Sequence, residues 1–461
     1  MMIHVNTEIG TLKRLIIHSP DSGLGRVVPS KAQDWLFEDI VHLDTVRGKE
    51  YDYYVKILLY FLDPEKVRGK LKEIDDPANN RAFYKPGNEK YFNSDKVMDI
   101  QDLLQHVLSH QELRHEIIAS ICALENCSFA IQKVLKELPL LDLARTLISG
   151  SLPNRQMIFA PIPNLIFTRD IGIVINDHIL LNKPAKPARY REALLARYVF
   201  YYHKYFGDVQ DKVVAVTDDD LFFLFDEDER KQKVTTLEGG DIMMVAPNNL
   251  LVGVSERTTP NAIEKVIKDL FKRNVVEKVS VVKIPAKRDF MHIDTVFTQV
   301  KRNMWVLYGR FSKRNREEAS FYDKFYADRC KDDVKILQFQ NGREKPIRFD
   351  YIEDLLDSIS RDDLKSRERT EIIYSGGDEF PFSQREQWTD SCNLLALKEG
   401  VVIGYDRNDK TADVFREKGF LVIRAEDLLN KFEANELSPE TLTNTLIMLP
   451  SAELSRARGG S

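Results

Sequence analysis

Cysteine is scarce in this chain: four in 461 residues (Cys122, Cys127, Cys330 and Cys392), irregularly spaced. That excludes a disulfide framework and fits a reducing cytoplasm. Neither a CxxC pair nor a His/Cys cluster accompanies them, and CALENC (Cys122 to Cys127) reads as helix, so no metal site is expected. Long apolar runs are missing too. No stretch approaches bilayer-spanning length, and MMIHVNTEIGTLKRL has no continuous apolar core of the kind a signal peptide carries. Charge of one sign is not in excess: 67 basic against 72 acidic residues leave a net −5. That is too mild to point to nucleic acid or an anionic membrane as partner. What remains is ordinary soluble composition, 43% hydrophobic and 30% charged, on a chain long enough for two or three domains or one large core.

One pattern recurs along the chain. An apolar run meets a short turn signal, and a second apolar run follows. DIGIVINDHILLN turns at Asn176-Asp177, DIMMVAPNNLLVGV at Asn248-Asn249, DTVFTQVKRNMWVLY near Arg302-Asn303, and CNLLALKEGVVIGY at Glu399-Gly400. Asn, Asp and Gly tolerate the positive φ that tight hairpins demand. EIGTLKRLIIHSP near the N-terminus is a weaker relative. Helices intervene: TTPNAIEKVIKDLFKRN places Ile263, Val266, Ile267, Leu270 and Phe271 at helical spacing, and TADVFREKGFLVI stops a helix at Gly419. Five strand-rich units of one kind argue for an α/β radial repeat. Residues 46–154 break the pattern with helix-like segments and almost no strand signal, which reads as an all-helical insertion. The expected organisation is 1–45 and 155–461 for the repeat, with 46–154 inserted. DDDLFFLFDEDERKQK and DYIEDLLDSISRDDLKSRERTE read as surface excursions.

Acidic residues gather at the mouths of these apolar runs. Asp170 ends FTRD, Glu238 and Asp241 flank the glycines of LEGGD, and His292 and Asp294 stand at i and i+2 in MHIDTVF. If that last stretch is extended, both side chains share a face. Each has a plain structural reading: Asp170 as a cap, the glycine pair as a bulge, His292 as a hydrogen-bonded core histidine. Together they outline a pocket for a cation with several N–H donors, and guanidinium fits because its planar fork pairs with carboxylates. A histidine beside a carboxylate can move protons near neutral pH. Arg189 and Arg257 are surface arginines singly, and a carboxylate clamp in the context of such a pocket.

PNLIFTRD, KPARYREALLARY, LEGGD with VSERTT, MHIDTVFT, REQWTDSCNLLALKEGVVIGYDRN and ELSRARGG, in that order, resemble the arginine deiminase family of guanidino-group-modifying enzymes. The resemblance implies a five-module α/β propeller with pseudo-fivefold symmetry and an inserted all-helical domain. It implies hydrolysis of L-arginine to L-citrulline and ammonia through a covalent amidino-cysteine, without metal or organic cofactor, in a possible homo-oligomer. By position, Asp170 and Asp294 would grip the guanidinium, and Glu238 and His292 would handle protons. Asn164, Phe167, Arg189 and Arg257 would line the site, with Asn164 and the arginines toward the α-carboxylate. Asp241 would support, and Arg458 would sit on a loop near the entrance.

The match departs at the nucleophile. The family's cysteine is expected about two residues past Ser461, and Cys392, at a hairpin start, is not expected to replace it. The rival readings are a hydrolase of agmatine or a methylated arginine, a non-catalytic arginine-binding protein, and a protein-binding scaffold.

Overall fold

Residues 3–79, 92–318 and 334–459 are described in the computed structural model; Cys330 and Ser461 lie outside them. The described strands form five small sheets. β1 (Leu15–Ile17) runs parallel to β2 (Val97–Asp99). β3 (Gly172–Ile175) and β4 (His178–Leu181) form a hairpin, with β5 (Val213–Ala215) parallel to β4. β6 (Ile242–Ala246), β7 (Asn249–Val254) and β8 (Lys278–Lys283) repeat that arrangement. β9 (Phe297–Lys301) and β10 (Met304–Leu307) make the next hairpin. β11 (Lys335–Gln340) and β12 (Ile347–Phe349) extend the third sheet beyond β8, and β13 (Glu371–Tyr374) lies parallel to β10 in the fourth. β14 (Leu395–Lys398), β15 (Val401–Tyr405), β16 (Leu421–Arg424) and β17 (Thr445–Leu449) build the fifth, where only β14 and β15 are antiparallel. The unit is therefore a hairpin whose second strand takes a parallel neighbour, and parallel pairing requires a crossover. Helices supply it, as with Pro260–Lys272 between β7 and β8. This is an α/β fold of mixed sheets.

Three hairpins turn where the sequence places them. Asn176 takes φ 50° and Gly400 φ 76° in their turns, and Arg302 and Asn303 separate β9 from β10. In the third sheet the turn is Pro247-Asn248, and Asn249 belongs to β7. Its side chain explains the shift, because it bonds Asp363 at 2.8 Å and Ser280 at 3.0 Å and so points into the protein.

The N-terminal unit is not a hairpin. β1 finds its partner in β2, and residues 5–12 bond in turn to Asn176, Met244 and Leu397 of three other sheets. β2 lies within 46–154, where no strand was expected; three residues are too few to carry a period-2 signal. Around it the segment is helical, with Asp52–Leu62, Ile100–Leu108, Gln111–Leu124, Phe129–Glu137 and Leu140–Ser149. DYIEDLLDSISRDD is not merely a surface excursion, because Ile352, Leu355, Leu356 and Ile359 are buried along one helical stripe. In contrast, Leu221, Phe223 and Leu224 of the other excursion are exposed. Among the described residues no helix is long and apolar enough to cross a membrane.

Asp363 accepts from Asn248 (3.2 Å), Asn249 (2.8 Å) and Lys278 (2.6 Å), tying the hairpin end of the third sheet to the turn after Ser358. Asp363→Ala strands those donors and is expected to cost about 3 kcal/mol in a denaturant titration; a loss below about 1 kcal/mol would show the tie to be ornamental.

Candidate active site

Three short turns bring the acids together. Thr168–Ile171, Gly239–Asp241 and Ile293–Thr295 immediately precede the β3, β6 and β9 region of three different sheets. They approach so closely that the glycine pair is obligatory on steric grounds. A Cβ on Gly239 would stand 2.1 Å from the Arg169 carbonyl oxygen, and one on Gly240 would stand 2.6 Å from His292 Nδ1 and 2.9 Å from Asp294 Oδ2. The Gly240 N–H instead donates to Asp170 Oδ1 at 2.9 Å. His292 is extended but Asp294 lies in a turn, so the two reach the site through a bend and not along one strand face.

At the centre is a guanidinium that belongs to the protein. Arg189 Nη1 donates to Asp170 Oδ2 at 2.8 Å and to Glu238 Oε2 at 2.9 Å, while its Nε donates to Glu192 Oε2 at 3.0 Å. Glu238 also accepts from the Ala185 N–H at 3.1 Å, and its Oε2 lies 3.2 Å from His292 Nε2. All five side chains are buried. Asp294 Oδ2 lies 3.5 Å from Arg169 Nε, and its Oδ1 has no hydrogen-bond partner among the described residues. Buried carboxylate oxygens are rarely left so.

Protonation divides the acids. Burial works against the charge of Glu238, but Arg189 and His292 outweigh it and hold the carboxyl below its usual range. Asp170 is lowered in the same way, burial being overcome by Arg189 and His292. Burial opposes the His292 charge as well, yet Asp170, Glu238 and Asp241 push that group up to about 10. By contrast burial dominates at Asp241, Asp294 and Glu192, each raised to about 7. Acids of opposed ionisation in one pocket are the arrangement that proton-transfer chemistry uses. Asp170, Glu238 and His292 could also hold a metal ion, since each offers an atom within 4.8 Å of the others; in this structure Arg189 serves both carboxylates.

A sequence profile of the arginine deiminase family matches residues 88–461. An arginine deiminase of Streptococcus pneumoniae (strain Hungary19A-6) is 30% identical over 435 residues, covering 92% of this chain and 93% of that protein. The chain belongs to the arginine deiminase family. Among solved structures, SxtG, an amidinotransferase of Microseira wollei, aligns over 58% of this chain and 64% of its own, with 17% identity and TM-score 0.34. A dimethylarginine dimethylaminohydrolase mutant of Pseudomonas aeruginosa complexed with citrulline covers 65% of this chain and 74% of its own, with 15% identity and TM-score 0.33.

Against the roles that arginine deiminase membership leads one to expect, Asp170, Glu238, His292 and Asp294 converge. Arg189 sits on Asp170 and Glu238 and not in an open clamp, because ionised carboxylates in this interior demand a cation. Arg257 is buried, with Nη1 3.9 Å from Glu238 Oε1 and Nε 3.8 Å from Glu256 Oε1. Asp241 accepts from Ser255 Oγ at 2.5 Å and the Ile293 N–H at 3.0 Å, a bracing position. Asn164 donates to the Trp35 carbonyl at 3.0 Å, and Phe167 packs flush against Gly459. Arg458 lies over the Trp388 ring at 3.6 Å.

Three neighbours escaped the sequence reading. Glu192 follows Arg189 at i+3 on a helix, a spacing that could have been noticed. Arg169 sits inside FTRD beside Asp170. Asp390, in WTDSC, is a fifth acid shortly before a strand and is buried. Gly240→Ala is expected to abolish arginine binding in calorimetry, with the added Cβ costing about 1–3 kcal/mol of stability. Normal binding would mean that the three turns part more easily than their spacing implies.

Proposed function

We propose that this pocket binds L-arginine and hydrolyses its guanidinium to give L-citrulline and ammonia. The observation that carries the reading is the internal one: Asp170 and Glu238 already hold a guanidinium, that of Arg189, and Asp294 offers a buried unpartnered oxygen beside them. Substrate binding is then an exchange of one guanidinium for another. The displaced Arg189, with Arg257 and Asn164, would meet the substrate α-carboxylate. Agmatine would displace Arg189 from Asp170 and Glu238 without offering it a new anion, leaving a buried cation with Glu192 alone, which is costly.

Pinning the guanidinium between carboxylates fixes its trigonal carbon for attack, the positioning part of catalysis. His292, protonated at neutral pH, would give a proton to departing ammonia, and Glu238 would steady it and later help water attack. The route through an amidino-cysteine needs a thiolate at that carbon. Cys392 suits that role poorly, being fully buried with its thiol pushed up to about 12 by burial. Cys122 and Cys127 belong to the helical region. Arginine binding without turnover is the second reading, favoured by the burial of Cys392 and the helical placement of Cys122 among the described cysteines. We further read the five sheets as blades of an α/β propeller with 46–154 inserted, since residues 5–12 touch three of them.

Calorimetry with arginine, agmatine and citrulline, followed by a citrulline assay, tests this. Arginine is expected to bind at least about tenfold tighter than agmatine; equal affinities would point to an amine or agmatine enzyme. Free guanidinium ion should bind Arg189→Gln more tightly than the unaltered protein, because the internal competitor is gone. An unchanged affinity would put the site elsewhere.

The pH dependence has a definite sign. Asp294 is raised by burial to about 7 and a bound cation favours its ionised form, so binding below that pH expels a proton. Arginine affinity should rise as pH climbs to about 7 and then level off, and Asp294→Asn should flatten the profile. Affinity that falls over that window would contradict the assignment.

A further inference from the structure

Cys122 and Cys127 have no part in the scheme above, yet the fold sets them against one another. The helix Gln111–Leu124 ends in a paired cap: the Cys127 N–H donates to the Cys122 carbonyl at 2.8 Å, and the Asn126 N–H to the Ala123 carbonyl at 3.4 Å. Asn126 takes the left-handed conformation, φ 53°, that this closure needs and that asparagine tolerates. The two residues joined by the outer bond of such a cap frequently bring their side chains into apolar contact. Here both are cysteines. Standard backbone dimensions across that bond limit the separation of their Cα atoms to about 6.7 Å, inside the span of roughly 4.4–6.8 Å that disulfides occupy.

The two thiols are not equivalent. Cys122 is packed in the core of the helical region at 7% exposure, whereas Cys127 is half-buried. Burial raises both thiols, Cys122 to about 11. Their contact with each other then raises Cys122 and lowers Cys127, so the Cys122 S–H donates and the Cys127 sulfur accepts. Glu125, the cap residue between them, pairs at 2.5 Å with Arg191, whose guanidinium lies 4.4 Å above the Phe159 ring. Of these two charges, Glu125 raises the Cys127 thiol and Arg191 lowers it.

We propose that Cys122 and Cys127 are a redox-modification site, in which a small disulfide such as glutathione disulfide converts the pair into an intramolecular disulfide across the helix cap. Cys127, more accessible and the acceptor of the S–H bond, attacks first as its thiolate. A bond forms to one sulfur of the reagent, the reagent's S–S bond breaks, and its other half leaves as a thiol with the proton that Cys127 gave up. Cys122 then loses its proton and attacks the Cys127 sulfur, expelling the second half as a thiol. Two protein S–H groups are oxidised to one S–S bond, and one small disulfide is reduced to two thiols. Raised thiols attack slowly at neutral pH, but they also disfavour the thiolates that reduction would regenerate, so the closed bond resists reduction. Closure fixes the cap and with it Glu125, which holds Arg191 at the start of the helix Tyr190–Tyr202.

Incubation of the full chain with glutathione disulfide, then alkylation of the folded protein and peptide mapping by mass spectrometry, tests the site. The chain should lose two hydrogens and yield a linked Cys122–Cys127 peptide while Cys392, fully buried, stays protected from the alkylating agent. Amide exchange at Asn126 and Cys127 should slow about tenfold against the dithiol form. Cys122→Ser, which keeps a hydrogen-bond donor, should stop at a mixed disulfide with glutathione on Cys127, and Cys127→Ser should leave Cys122 unmodified. No modification of either thiol, a lasting glutathione adduct on the unaltered chain without the linked peptide, or a link that forms only once Cys392 is alkylated would overturn the site. Glutathione on Cys122 in the Cys127→Ser chain would overturn the order of attack, and unchanged amide exchange the locking of the cap.

Discussion

A cluster of carboxylates closed off from water is untenable without a cation, and much of this structure answers that constraint. Asp170, Glu238, Asp241, Asp294 and Glu192 are all buried near one another. Full ionisation would cost several kcal/mol per group before any pairing. The protein meets the cost in two ways. Arg189 and a protonated His292 keep Asp170 and Glu238 charged, whereas Asp241, Asp294 and Glu192 are raised toward neutrality. The result is a pocket poised between two protonation patterns, whose balance a further cation would shift.

Geometry makes that balance possible. Three turns from three sheets meet within hydrogen-bonding distance, and only residues without a Cβ fit where they cross. The Gly239-Gly240 pair is thus a packing requirement and not a hinge, since neither glycine takes a positive φ. Asp241 fixes the next turn through the Ile293 N–H, so the backbone that carries His292 is held by the segment that carries Glu238. Displacing one turn would disturb both proton-handling groups at once.

Much of this was legible in the sequence. The hairpins at Asn176, Arg302 and Gly400, the helix at Pro260–Lys272, and the convergence of Asp170, Glu238, His292 and Asp294 follow from turn residues, helical spacing and clustered acids. What escaped did so for physical reasons. β2 pairs residue for residue with a strand 82 positions earlier in the chain and is three residues long, so neither register nor periodicity announces it. Asn248-Asn249 offers two equally good turn residues; Asp363 accepts from both, and the bond from the distant Ser280 singles out Asn249. The stripe Ile352, Leu355, Leu356, Ile359 was present in the letters but masked by the acids around it. Asp390 drew no reading of its own, because nothing in WTDSC marks that acid as buried.

The position of Arg189 carries the most weight for selectivity. Any ligand that takes its carboxylates must leave this arginine with another anion, or bear the cost of a buried cation without one. Glu192 cannot do this alone, since it is itself raised to about 7 by burial and keeps its charge largely through Arg189. A ligand with a guanidinium at one end and a carboxylate at the other satisfies both demands in one event. On that logic the same side chain that fills the empty site also screens what replaces it. Discrimination against guanidines without a carboxylate then needs no dedicated contact, because it follows from returning Arg189 to a partner.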